Sequence, residues 1–504
     1  MNAKKIGLNS LANVIRLVAN VGVAFFMTPF LVRHLGKAGY GVWDMVLSAV
    51  GYVTLMDIGL AGAVVKYVAE FRGRSDEEGL SAVVETAFTF YLAVALLGAA
   101  ALGLFLWLGF SYLTVESVEP SVVRWVLLLM GLDALVCFVG SVFSGILAGA
   151  HRYYVTSTLE ALFRVLTAAT VWVGLKNDHG LIFMAVANLS YDLVKFGFYY
   201  VECRFRMKML SRFRLRLAAS HFHTMLTFGV KSLLVSASGR LYLRSHSLII
   251  GYLMSAAAVP FYAVPANLAQ YARNLLWALT MAFLPLFSDL SAKKEEDLMR
   301  KIFLNYSRYT CMIFFPVIVV MLAMGQPFLL RWIGPSFARQ GGPVLFFLTL
   351  ALLVSAFQPL SERVLTGVAR HGLIAWTRFF SAALFLGLGV VLTRTHGLTG
   401  LAFAFFCGAV GPPSLVLLRS LSIVKVSLAE YLRKSLLAPF CVAIVCALAL
   451  WAVSRAWPPR GYPAICLQSA GGLFLYTGLA FLLVLDADER RVLVRGIGRR
   501  LSRR

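Results

Sequence analysis

No stretch of this 504-residue chain is polar enough to fold as a soluble domain of useful size. Carboxylates are scarce, with 23 Asp and Glu against 47 Lys and Arg. Cysteine is also sparse. Cys137, Cys203, Cys311, Cys407, Cys441, Cys446 and Cys466 form no Cys-x-x-Cys pair, and nearly all sit in apolar runs. They read as small core residues rather than as a zinc site or a disulfide frame. There is no glycine-rich phosphate loop, clustered metal-ligand set or nucleophile triad, so the chain carries no motif for ATP hydrolysis and no cofactor is expected. The basic N-terminus followed by an apolar run has the outline of a signal peptide. Asn13, Arg16 and Asn20 interrupt that run and no small-residue cleavage site follows, so it reads as a retained first span.

What is abundant is apolar side chain, 60% of the residues, which defines an all-α polytopic membrane protein. Runs of about 20 residues cross a bilayer at 1.5 Å each, and roughly 14 such runs are expected. They fall at 11–32, 43–65, 83–110, 121–148, 156–175, 181–201, 225–253, 260–287, 305–325, 342–368, 372–393, 397–418, 436–456 and 462–485. On this assignment about 30 of the 47 cations lie on the side of the N-terminus. The net charge of +24 is thus mainly topological, and the bias places both termini in the cytoplasm. Anionic inner-leaflet lipid is an expected partner, and nucleic acid is not.

Several spans carry charge. The stretch Phe228 to Leu253, FGVKSLLVSASGRLYLRSHSLIIGYL, holds Arg240 and Arg244 near its middle, one helical turn apart, with Lys231 and His246 elsewhere on the helix. Even lenient scales set one central arginine at roughly 2.5–3.5 kcal/mol, so this face must meet protein or a wet cavity, with something anionic against it. Ser236 and Ser247 are expected near the same face. Span one has a polar stripe of Asn9, Asn13, Arg16 and Asn20, readable as interhelical glue or as a cavity wall. Span eight carries Asn267, Gln270, Arg273 and Asn274, and span ten carries Glu362 beside Arg363. Glu160 with Arg164, and Asp192 with Lys195, are expected to neutralise one another. Asp57, Asp133 and Glu362 are candidates for proton or sodium coupling, set against the alternative that each offsets a neighbouring arginine. Short outer loops are expected at His34–Gly41 and, as the largest, Gln326–Gly341.

The halves echo each other. Gly7 and Gly229, and Tyr40 and Tyr262, are 222 apart, and Glu77-Glu78 and Glu295-Glu296 are 218 apart. Six spans separate the equivalents, so the copies run in the same direction. This gives an N-terminal lobe at 1–202, a basic linker at 203–223, a C-terminal lobe at 224–421, and two further spans with a basic tail at 422–504. Arg16 and Arg240 would face each other across the pseudo-twofold.

The first 80 residues carry Asn9, Asn13, Pro29, Leu35-Gly36, Tyr40-Gly41-Val42-Trp43 and Asp57-Ile58-Gly59-Leu60, and Gly149-Ala150-His151-Arg152-Tyr153 follows span four. In these patterns the chain resembles the polysaccharide-export branch of the multidrug/oligosaccharidyl-lipid/polysaccharide exporter superfamily, and within it the Wzx-type O-antigen or capsule repeat-unit flippases. The resemblance covers most of the chain. It implies two six-helix bundles in a V, as in the multidrug extruders, plus two C-terminal helices and a central cationic cavity. The implied cargo is an undecaprenyl-diphosphate-linked oligosaccharide, turned across the bacterial inner membrane by alternating access. A polysaccharide polymerase and a chain-length regulator are the implied protein partners. Arg16, Asn13, Asn20, Lys231, Arg240, Arg244, Arg273, Asn267 and Gln270 would then hold the diphosphate and sugar, since guanidinium groups fork onto phosphate. A multidrug extruder would call for an acidic cavity, whereas the excess here is basic. A lipid II flippase would suit the same arginines, but that branch's signature is not seen in span one. A membrane-embedded polymerase or ligase usually carries reactive groups on a sizeable outer loop, and Gln326–Gly341 has no acid or His.

Overall fold

A computed structural model describes residues 3–52, 60–109, 118–207, 215 and 237–491. The described backbone is almost wholly helical, as an apolar environment demands of chains that must satisfy every N–H and C=O internally. It forms two compact units, Met1–Pro260 and Phe261–Arg504.

The first unit contains α1 (Ala3–Gly51), α2 (Leu60–Gly73), α3 (Glu77–Leu104), α4 (Pro120–Gly149), α5 (Tyr153–Lys176), α6 (Leu181–Val201) and α7 (237–253). Helix α1 is broken at Gly36, where φ is 70° and ψ 176°. The chain is helical on both sides of that residue, so the expected loop at His34–Gly41 is a single-residue break. The apolar stretch Leu11–Gly51 would reach about 60 Å if straight, twice the hydrocarbon thickness, and so holds more than one span. Helix α3 starts where Asp76 accepts a hydrogen bond from Gly79 N at 2.8 Å, with Glu77 and Glu78 in its first turn.

Pairwise contacts give the direction of each helix. Asn13 meets Ser157 and Arg16 meets Glu160, both 144 residues on, so the first arm of α1 and α5 run parallel. Cys137–Asp192, Gly140–Phe196 and Phe143–Tyr200 make α4 and α6 parallel. Phe88–Phe143 and Tyr91–Phe138 make α3 and α4 antiparallel. These directions agree with alternate crossing of a bilayer. Val64, Val68, Val84, Tyr91, Val142 and Ile146 form the core among α2, α3 and α4.

The second unit comprises α8 (Val259–Met281, whose first two residues belong to the first unit), α9 (Phe283–Lys293), α10 (Glu296–Trp332), α11 (Pro335–Ala356), α12 (Ser361–Gly367), α13 (His371–Ile423), α14 (Leu428–Tyr431), α15 (Leu437–Ala456) and α16 (Tyr462–Leu483). Helix α13 folds back at Gly397, with φ 59°, and the rings of Phe385 and Phe405 lie 5.6 Å apart although 20 residues separate them. The chain breaks between α11 and α12 around Gln358-Pro359, where proline withholds the N–H that would continue the helix. Gln326–Gly341 is not a loop: α10 runs to Trp332 and α11 starts at Pro335.

Among the described residues, eleven helices are long and apolar enough to cross a membrane. Helix α13 supplies two spans. The second arm of α1 with α2, and α7, supply two more, which is consistent with the expected fourteen.

The repeat reaches the backbone. Left-handed residues recur at matched places: Ser75 and Lys294 are 219 apart, His151 and Ala369 are 218 apart, and Asp178 and Gly397 are 219 apart. Gly149 ends α4 against Val65 and Val68 of α2, and Gly367, 218 residues on, ends α12 against Phe287 and Ser288 of α9. Each half needs a residue without a side chain where one helix end presses on another.

Candidate functional site

The polar stripe of α1 docks on α5. Asn9 accepts from Tyr154 N at 2.9 Å and donates to His151 O at 3.4 Å. Asn13 accepts from Ser157 Oγ at 2.9 Å and from Arg16 Nη2 at 3.4 Å. Arg16 binds Glu160 at 3.1 Å, with both side chains about 40% exposed. Glu160 therefore pairs with Arg16 rather than with Arg164, because the parallel register of α1 and α5 brings it there. The stripe serves as interhelical glue, yet its arginine stays half open to solvent. Asn20 is half-buried farther along α1.

Helix α7 packs on the second arm of α1. Ser247 Oγ donates to the buried Asp44 at 2.5 Å, and Ser245 Oγ and Tyr52 OH lie 2.7 Å apart. Ser238, Ser245, His246 and Ser247 are buried. Ser247 is thus a packing contact and not part of the arginine face. Arg240 is half-buried, whereas Arg244 is exposed and makes no ion pair among the described residues. Lys231, Ser236 and Asp57 lie outside the described residues.

A polar cluster joins α4 to α6. Lys195 Nζ binds Asp192 at 2.5 Å, as expected, and Cys137 Sγ donates to Asp192 at 3.0 Å. The ligand atoms of Asp133, Cys137 and Asp192 lie within 4.8 Å of one another. Asp133 is buried, and its Oδ1 has no hydrogen-bond partner among the described residues. A carboxyl buried at this depth is costly unless a proton or a charge meets it.

In the second unit, Asn267, Gln270 and Arg273 share a half-buried face of α8, while Ala269, Ala272 and Leu276 are buried. Gln270 donates to Asn274 at 2.9 Å, and the Arg273 guanidinium stacks 5.5 Å from the Phe405 ring centre. Glu362, on α12, is held by Arg378 through its two oxygens at 3.2 and 3.0 Å. Its neighbour Arg363 instead stacks on Trp277 at 5.8 Å and donates to Thr280. Arg378 and the Asp44–Ser247 contact were missed by sequence reasoning. Adjacent residues on a helix point about 100° apart, so Glu362 and Arg363 are poor partners. That spacing was the available signal.

Taken together, these are polar and cationic faces on membrane helices whose fold is found in known transporters. A solved lipid II flippase, MurJ in an inward closed conformation, aligns with TM-score 0.69 and 13% identity, covering 94% of this chain and 98% of its own. An inward-facing multidrug resistance MATE family transporter of the MOP superfamily aligns with TM-score 0.67 and 14% identity, covering 82% of this chain and 98% of its own. At such identities the likeness shows the fold alone. The chain belongs to the polysaccharide biosynthesis protein family, whose profile matches residues 3–291, more than half its length. Two curated relatives are similar along most of their length. An uncharacterized membrane protein, EpsK, of Bacillus subtilis is 24% identical over 97% of this chain and 98% of its own. A putative O-antigen transporter of Shigella flexneri is 22% identical over 79% of this chain and 93% of its own. The polysaccharide-export resemblance read from the sequence is borne out. Where these relatives' names state an activity it is transport and not enzymatic catalysis.

Proposed function

We propose that the protein is a flippase that moves lipid-linked oligosaccharide repeat units across the bacterial inner membrane by alternating access. The cargo is read as an undecaprenyl-diphosphate-linked oligosaccharide. Its diphosphate would be gripped by Arg240 and Arg244, with Arg16, Lys231 and Arg273 contributing charge and Asn13, Asn20, Asn267 and Gln270 contributing hydrogen bonds to phosphate and sugar. The observation that carries this reading is Arg244, an exposed cation on an apolar helix whose next three residues are all buried. Such a placement is expensive in lipid unless water or an anion meets the guanidinium. Membership of a polysaccharide biosynthesis family supports a saccharide-bearing cargo.

The test is complementation of a deletion strain with Arg240→Ala and Arg244→Ala variants. Surface polysaccharide should be lost while both variants still insert in the membrane in normal amounts. Normal polysaccharide from both would defeat the assignment. For coupling we favour Asp133 over Glu362, because Arg378 already neutralises Glu362. A flipping rate indifferent to imposed proton and sodium gradients would remove coupling from the scheme.

A further inference from the structure

A cavity of about 420 Å³ opens in the first unit, and the arginines of α1 and α7 are not among its lining residues. Its walls are the ends of spans: Arg72 at the end of α2, Asp76 and Glu77 at the start of α3, Arg152 in the turn between α4 and α5, and Arg206 beyond α6. Phe71, Ser75, Leu80 and Met207 complete the lining. Span ends mark the level of lipid headgroups.

The charges are arranged unevenly. Glu202, only 10% exposed, is held between Arg152 and Arg206, the latter at 3.3 Å. Arg72 gives one N–H to the carbonyl of Ala150 at 3.2 Å. Each guanidinium has five N–H donors, so three of them retain unspent donors around the cavity. Glu202 absorbs one charge, which leaves room for an anion. Asp76 has one oxygen engaged in capping α3, and Glu77 is exposed and makes no ion pair among the described residues. The pocket therefore offers forked donors from the end of α2, the turn between α4 and α5 and the segment beyond α6, and carboxylates from the start of α3.

The second unit shows that this opening is not imposed by the fold. By the 219-residue spacing of the turns at Ser75 and Lys294, Glu77 at the start of α3 corresponds to Glu296 at the start of α10, one residue off the spacing of the paired glutamates in the sequence, and Arg206 beyond α6 corresponds to Lys425 beyond α13. There Lys425 and Glu296 close directly on each other. In the first unit the cation turns to Glu202 and the acid is left open.

We propose that this cavity is a binding site for a zwitterionic phospholipid headgroup, a phosphodiester linked to a primary ammonium. The phosphate would take the spare donors of Arg72, Arg152 and Arg206, which match phosphate in fork geometry. The ammonium would meet Glu77 and the free oxygen of Asp76. The apolar lining suits the glycerol end. The site is independent of the flippase reading and survives its failure.

The test uses the purified full chain in detergent, titrated with phosphatidylethanolamine, phosphatidylglycerol and soluble phosphoethanolamine, with occupancy read by native mass spectrometry. Phosphatidylethanolamine should bind about tenfold more tightly than phosphatidylglycerol. Glu77→Gln should abolish that preference while phosphatidylglycerol binding persists. Arg206→Gln, an exposed position, should weaken both lipids about fivefold or more. Equal binding of the two lipids to the unaltered chain, or unchanged binding in both variants, would overturn the proposal. Soluble phosphoethanolamine binding as tightly as the lipid would overturn the lipid assignment. Unchanged melting of both variants shows that the fold is intact.

Discussion

Asp192 and Lys195 illustrate what one charge does at membrane depth. Their side chains are 25% and 15% exposed, so solvent screens the pair weakly. Removing one partner of such a pair leaves an uncompensated charge and typically costs about 3–5 kcal/mol. We expect Lys195→Met to lower the melting temperature of the purified protein sharply, and Asp192→Asn in the same chain to restore much of it. A double variant as unstable as Lys195→Met alone would mean that packing, and not charge, holds this site. Arg16 and Glu160 are the contrasting case. Both are about 40% exposed, and such pairs contribute about 0–1 kcal/mol. Glu160→Gln should leave melting nearly unchanged, and a large loss would show that the pair is structural. Individual charges were legible in the sequence because a lone cation or acid stands out in an apolar run. A partner on the same helix was legible too, as Asp192 is for Lys195, whereas partners on other helices were not. Glu160 meets Arg16 and Glu362 meets Arg378 because of helix register and crossing, which lie beyond one segment's own periodicity.

At the scale of elements, the ends of helices decide which ones approach. A side chain on Gly149 would come within 2.8 Å of the Val65 carbonyl and of Val68, and a backbone carbonyl cannot swing aside. Gly149→Ala should therefore destabilise by about 1–3 kcal/mol, as overpacking does. Gly197, inside α6 with nothing within 4 Å, should tolerate the same change and gain about 0.5–1 kcal/mol from helix propensity. Thermal melting of the two variants side by side would check the opposite signs. Long apolar runs fixed where most spans lie. The breaks were harder to see. A stretch such as Gln326–Gly341, broken by Pro327, Gly334 and Pro335, reads as loop on composition, yet helix continues through most of it. Gly36 breaks the helix in a single residue, too short to leave a compositional trace.

For the molecule as a whole, alternation of helix direction is the testable property. Helices α10 and α11 run antiparallel, with Gly325 against Leu345 and Cys311 against Ala356, and their junction at Gly334 lies one span away from the turn at Lys294. Cysteines placed singly at Gly334 and at Ser75 in a cysteine-free chain should react with an impermeant thiol reagent from opposite sides, with Ser75 reached only from the cytoplasm. Labelling from the same side would refute both the span count and the orientation. The sequence hints at an internal repeat through Tyr40 with Tyr262 and the paired glutamates. The stronger correspondence is in the turns, where Ser75 matches Lys294 and His151 matches Ala369 with no residue identity at all.

That correspondence bears on ancestry. Different residues stand at those turns, lysine and alanine among them although glycine would be strain-free, and yet the handedness of the chain is the same in both halves. If the halves arose by duplication, torsion angles would be its more durable fossil. A search for distant kin keyed to the spacing of left-handed turns should reach further back than one keyed to amino-acid letters.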